Sequence, residues 1–140
     1  KMGDEITWPE SVDNKGERVD IGKIRRPCEK TVENLYTARL KERWSALINE
    51  AKQEAIGFRF DGDALPYILI CTNNSVWRDY YFAAIEPVSG RPDNLDVAVN
   101  QWKDYATLKP KTKVNWKQTI ILAHNIKHIE KIENDDIIQN

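Results

Sequence analysis

The chain is poor in the residues that build covalent or metal-held scaffolds. Its 140 residues include two Cys, two His, one Met, six Gly and six Pro. Two cysteines, Cys28 and Cys71, are too few for the disulfide framework of a small secreted domain, and both are expected to be reduced. A zinc site would need both of them to converge on His124 and His128, so no metal and no cofactor are expected. The scarcity of Gly and Pro excludes collagen-like and low-complexity classes. No apolar run approaches the ~18–20 residues of a membrane span, and membrane is not an expected partner. Residues 1–20 carry Asp4, Glu5, Glu10, Asp13, Glu17 and Asp20 and lack an apolar stretch, so no signal peptide is expected. These features suggest an intracellular setting, cytoplasmic or nuclear. The chain opens Lys1-Met2, which leaves open that it is part of a longer protein.

Net charge is also missing. Lys and Arg number 21 against 22 Asp and Glu, so no global field draws the chain to a polyanion. Motifs are sparse too. There is no P-loop, no dinucleotide glycine fingerprint, no HExxH and no nucleophile elbow. The Asp61-Gly62-Asp63 turn lacks the further oxygen ligands of a calcium loop. No catalytic residue is assigned.

What is present is enough apolar sequence for a packed domain: 41% hydrophobic against 31% charged. Residues 1–28 read as a polar arm anchored by Trp8, with a short edge strand at Val19-Asp20-Ile21. From 29 to 56, Val32, Tyr36, Leu40, Trp44, Ile48, Ala51 and Ala55 recur every three to four residues. That spacing predicts one long amphipathic helix, with Gly57 at its C-cap. Strands follow at Phe58–Phe60, from about 67 to Thr72, and from Val76 to Ile85. A second helix is expected over 93–107, N-capped by Asp93, then strands at 114–124 and 126–132. The fold class expected is α+β: a long helix packed on a mainly antiparallel sheet, in the order arm-α-β-β-β-α-β-β. A small barrel is the alternative. Residues 29–132 form the single domain in this reading, and 133–140 a frayed tail.

Two groups of residues are binding candidates. Trp77, Arg78 and Tyr81 lie in a dense aromatic strand, 77–82. Core packing accounts for most such aromatics, but an exposed set beside Arg would suit a protein hot spot or a single-stranded nucleic-acid platform. The second group is a basic loop, 103–117. It contains Lys109, Lys111, Lys113 and Lys117, interleaved with Trp102 and Trp116, and suits contact with an acidic partner.

The element order resembles that of restriction-endonuclease-like nucleases, which hold a divalent metal between an acid and an acid-x-Lys pair. Here Glu86-Pro87-Val88 lacks the Lys, and the strand 66–72 has no carboxylate. The reading that the residues favour is therefore a non-enzymatic binding or regulatory domain acting through protein–protein interaction. Nucleic-acid binding through the basic loop and aromatic strand is the alternative, and a metal-dependent nuclease the further one.

Overall fold

A computed structural model describes residues 5–13 and 15–139. Among these residues ten strands account for most of the regular structure: β1 Glu10–Val12, β2 Arg18–Asp20, β3 Val32–Tyr36, β4 Trp44–Asn49, β5 Glu54–Phe60, β6 Tyr67–Asn74, β7 Tyr81–Val88, β8 Gln118–His124, β9 Lys131–Glu133 and β10 Asp136–Ile138. A 3-10 turn spans Pro27–Glu29. One short helix, α1, starts as an α turn at Leu95–Val97 and continues as a π turn over Ala98–Trp102. No helix among the described residues is long and apolar enough to cross a membrane.

The long helix expected over 29–56 is absent; β3, β4 and β5 occupy its place. The reason lies in the spacing. Val32, Tyr36, Leu40, Trp44 and Ile48 are four apart, and four is a multiple of the strand period as well as close to a helical turn. The residues themselves favour strands, since Val, Ile, Tyr and Trp are β-branched or aromatic. The backbone also breaks where a helix could not: Gln53 sits at φ 54° in the β4–β5 turn. The barrel alternative fails as well. The strands form two-stranded sheets β1-β2 and β9-β10 and three-stranded sheets β3-β6-β7 and β4-β5-β8, none of them closed.

The chain divides into two compact units, one of residues 1–33 and 72–83, the other of 34–71 and 84–140; β3, β6 and β7 run through the division. In the first unit β1 and β2 pair antiparallel, with Ser11 opposite Val19. Ile21 is buried, whereas Trp8, expected to be the arm's docked anchor, is 56% exposed. Arg25 lies 3.3 Å from the Glu33 carboxylate, and both side chains are largely covered.

In the second unit β5 is the central strand of its sheet. Ile56 lies opposite Leu47 on β4 and Leu122 on β8; Gly57 lies opposite Ala46 and Ile121. Directly opposed residues share a face. One face therefore carries Trp44, Ala46, Ile48, Ala55, Gly57, Arg59 and Ile121. The β9-β10 hairpin covers this face: a Cβ on Gly57 would come within 2.6 Å of Ile132 Cδ1 and 3.7 Å of Ile137 Cδ1. Arg59 Nε closes the hairpin end with a 2.6 Å bond to Asp135 Oδ1. Of the strand expected at 126–132 only Lys131 and Ile132 are in a strand; they open a hairpin that reaches Ile138, mostly within the segment read as a tail. It can turn because Asn134 and Asp135 adopt positive φ.

Helix α1 is shorter than the 93–107 expected. Asn94, not Asp93, caps it, accepting from Val97 N–H at 3.1 Å. Lys103 leaves the helix at φ 56°, which frees Asp104 to pair elsewhere.

Gly57 is where the hairpin approaches the sheet most closely, which generates a test. Gly57→Ala should cost about 1–3 kcal/mol through overpacking against Ile132. Ile132→Val, which removes Cδ1, should cost less in the Gly57→Ala background than in the parent chain. Urea unfolding of the four variants measures this coupling. Cys28 is exposed and Cys71 half-buried, and both thiols are free. Burial, with Glu86 and Asp93 adding negative charge, raises the Cys71 thiol above its ordinary pKa. Iodoacetamide at mildly alkaline pH should therefore alkylate Cys28 well before Cys71, as read by peptide mass mapping.

Candidate functional site

Two surfaces, one in each unit, carry the residues singled out from the sequence. The first is the turn between β6 and β7. The aromatic strand expected from Val76 begins only at Tyr81; residues 75–80 are a turn. Ser75, Arg78 and Asp79 all sit at positive φ, at 62°, 50° and 55°, although none is glycine. Such backbone costs about 1–3 kcal/mol per residue and persists only where its surroundings hold it.

Asn73 is what holds it. Its side chain is 2% exposed and makes four bonds into the turn. The Oδ1 accepts from Val76 N–H at 3.2 Å and Trp77 N–H at 3.1 Å. The Nδ2 donates to Trp77 O at 3.2 Å and Tyr80 O at 2.9 Å. An amide is the side chain that can both accept and donate in this way. Lys30 adds a clamp from the 3-10 turn, its ammonium donating to Ser75 O and Asp79 Oδ1, each at 2.8 Å. That contact holds the Asp79 carboxyl below its ordinary pKa. The neighbouring Asn74 side chain is fully buried and donates to Thr31 Oγ1 at 2.8 Å.

The turn so held presents aromatic rings to solvent. Trp77 is 58% exposed, Tyr80 53% and Tyr81 52%. Trp77 and Tyr80 pack edge to face with centroids 5.6 Å apart, and the Arg78 guanidinium lies 5.9 Å from the Trp77 ring. Trp77, Arg78 and Tyr81 thus fall within one short stretch, as the sequence suggested. Tyr80 and the organiser Asn73 were missed. The only signal for Asn73 was an Asn-Asn-Ser triplet before the aromatic run, which reads equally well as a plain polar turn.

The second surface is in the other unit. Lys109, Lys111, Lys113, Trp116 and Lys117 lie in an irregular segment, all exposed, and not in a strand starting at Val114. Trp102 does not join them. It is half-buried, edge-on to Tyr36 at 6.5 Å, with the Arg91 guanidinium 6.0 Å from its ring. It belongs to a structural cluster centred on Arg91. Arg91 Nε donates to Asp104 Oδ2 at 2.5 Å, and its Nη1 donates to Thr37 O at 2.7 Å. Its guanidinium lies 4.8 Å from the Tyr67 ring, and the Tyr67 hydroxyl donates to the other oxygen of Asp104. Burial first, then the Asp104 carboxylate, raises the Tyr67 phenol above its ordinary pKa.

This cluster builds the walls of a groove. Arg91 N–H donates to Asp104 O at 2.9 Å, and the backbone of 104–105 passes Gly90 so closely that a Cβ there would meet Asp104 O and Tyr105 Cα at 2.9 Å. The segments 87–90 and 106–108 are thereby held side by side. Beyond them, Asp61 and Lys117 exchange two bonds: Asp61 N–H to Lys117 O at 3.0 Å, and Lys117 N–H to Asp61 Oδ2 at 2.8 Å. Between these clamps lies an open groove of about 560 Å³, lined mainly by Leu65, Pro87, Val88, Leu108, Val114 and Trp116.

His124 is exposed, its Nδ1 3.9 Å from Glu54 Oε1, and His128 is exposed as well. Among the described residues no three His, Cys, Asp or Glu side chains gather as a metal site would require. No family model, curated protein or solved structure matches this chain.

Asn73→Ala leaves the Val76 and Trp77 N–H groups without the side-chain acceptor and removes one of the two donors that reach each of Trp77 O and Tyr80 O. It should destabilise the protein by about 2–3 kcal/mol in urea unfolding. Asn73→Asp would set a buried carboxylate oxygen against Trp77 O and Tyr80 O, so near neutral pH it should destabilise at least as much as Asn73→Ala, and less at acid pH where the protonated acid can donate.

Proposed function

We propose that the chain is a binding domain acting through protein–protein interaction, with the β6–β7 turn as its contact surface. One observation carries this reading: Trp77 and Tyr80 are more than half exposed on a turn whose backbone is locked by Asn73 and Lys30, and Tyr81, equally exposed, follows at the start of β7. Exposed Trp and Tyr gain most when a partner covers them, and Trp, Tyr and Arg are the residues enriched in interface hot spots. A turn that is already ordered loses little conformational entropy on docking, so more of the contact energy appears as affinity. Trp77 and Tyr80 also brace each other, which limits the rotamers to be frozen.

The test uses peptides displayed on phage. A random-peptide library panned on the folded chain should enrich sequences whose binding weakens about tenfold or more with Trp77→Ala, the scale of a hot-spot residue. Trp77→Ala itself should change stability by only ~0.5 kcal/mol, because the ring is largely in solvent. Enriched peptides indifferent to Trp77, Tyr80 and Tyr81 would refute the reading. Displacement of the peptides by single-stranded oligonucleotide would instead favour a stacking platform for bases.

A further inference from the structure

We infer that the groove in the second unit is a separate docking site for an extended, acidic segment of a partner protein, anchored by apolar side chains. The inference does not rest on the aromatic turn. It joins three observations: a mainly apolar lining, a preformed shape, and a run of exposed lysines between two of the lining residues in the chain.

The lining is mainly apolar, with Ser89 and Thr107 as its polar members and a single aromatic ring. Leu65, Pro87, Val88, Leu108 and Val114 surround Trp116, which is 60% exposed. A surface of this kind gains by covering apolar side chains of a ligand. The shape is set by contacts that no ligand supplies. Arg91 and Asp104 hold one end, Gly90 admits the close approach of the 104–105 backbone, and Asp61 holds Lys117 at the other end. The occupant therefore meets a groove whose walls are already fixed, not a surface to be rearranged.

The charge identifies the occupant. Residues 105–117 include Lys109, Lys111, Lys113 and Lys117 and no Asp or Glu. Among the described residues, Lys109, Lys111 and Lys113 form no ion pair. Among the carboxylates that adjoin the groove in the chain, Asp104 is held by Arg91 and Tyr67 and Asp61 by the Lys117 backbone; Asp63 and Glu86 are exposed, in no ion pair among the described residues, and adjoin Ala64 and Pro87 rather than the lysine segment. Lys109, Lys111 and Lys113 lie between the lining residues Leu108 and Val114, and Lys117 follows Trp116, so apolar anchors and positive charges occur in the same segment. A ligand with apolar side chains interleaved with Asp or Glu complements both. A nucleic-acid strand complements only the charge: its bases need stacking faces, and this lining offers a single aromatic ring.

Fluorescence anisotropy with synthetic probes tests this. The probe is a short labelled peptide alternating Glu or Asp with Leu and Phe. Three controls accompany it: the same peptide with Ser in place of Leu and Phe, the same peptide with Lys in place of the acids, and labelled oligo-dT. The acidic apolar peptide should bind more tightly than all three. Trp116→Ala should weaken it about tenfold, and Lys109→Glu/Lys111→Glu/Lys113→Glu by more, with a reduced dependence on salt. The Lys→Gln triple variant, which introduces no repulsion, should shift affinity the same way by a smaller factor, and circular dichroism should show all variants folded. Equal binding of the Ser control removes the apolar anchor and overturns the inference. Tighter binding of oligo-dT assigns the lysines to nucleic acid and overturns it too. Loss of peptide binding with Trp77→Ala but not with Trp116→Ala places the contact on the β6–β7 turn, overturning the groove while leaving the first reading intact.

Discussion

A chain that folds almost without helix must satisfy its backbone N–H and C=O groups between segments far apart in sequence, because only a helix satisfies them locally. Ladders do this for β4, β5 and β8. Where the ladders stop, side chains take over, and the rest of the structure depends on them. Asn73 replaces a missing ladder in the β6–β7 turn, Arg91 reaches Thr37 O, Thr37 Oγ1 accepts from Ile68 N–H at 3.0 Å, and Asp61 receives Lys117 N–H. Each of these polar groups is positioned by a need of the backbone. Each also fixes a surface.

That coupling links stability to function. The same Asn73 that satisfies buried backbone groups forces Ser75, Arg78 and Asp79 into the left-handed region, and this turns Trp77 and Tyr80 outward. The same Arg91–Asp104 pair that ends α1 early, at Lys103, draws the 104–108 segment against Gly90 and opens the groove. In both places a buried or half-buried polar contact pre-shapes an exposed apolar surface. Binding then costs little reordering, which is the physical basis for reading both surfaces as contact sites.

The two surfaces suit different chemistry. The turn offers flat rings and one guanidinium, so it favours apolar and aromatic partners with few charges. The groove offers mainly apolar walls and a run of lysines in the same segment, so it favours a chain bearing carboxylates. Neither depends on net charge, which is close to zero; both depend on local composition.

By itself the sequence determined composition-level properties and the turn punctuation: the absence of a membrane-length apolar run, the turn at Asp61-Gly62-Asp63, a buried strand from Tyr67, and the closeness of Trp77, Arg78 and Tyr81. These follow from local rules, namely run length, turn chemistry and adjacency in the chain. It did not determine whether 29–56 is helix or sheet. Val32, Tyr36, Trp44 and Ile48 satisfy both periods, and the choice rests on β5 pairing with β8 more than fifty residues away, as in Gly57 opposite Ile121. Nor did it reveal Asn73, Arg91 or the groove. Asn73 acts through four bonds that exist only once the turn has closed, and Arg91 through partners at Thr37, Tyr67 and Asp104. Only tertiary structure decides such features, because side-chain satisfaction of a distant backbone leaves no periodic trace along the chain.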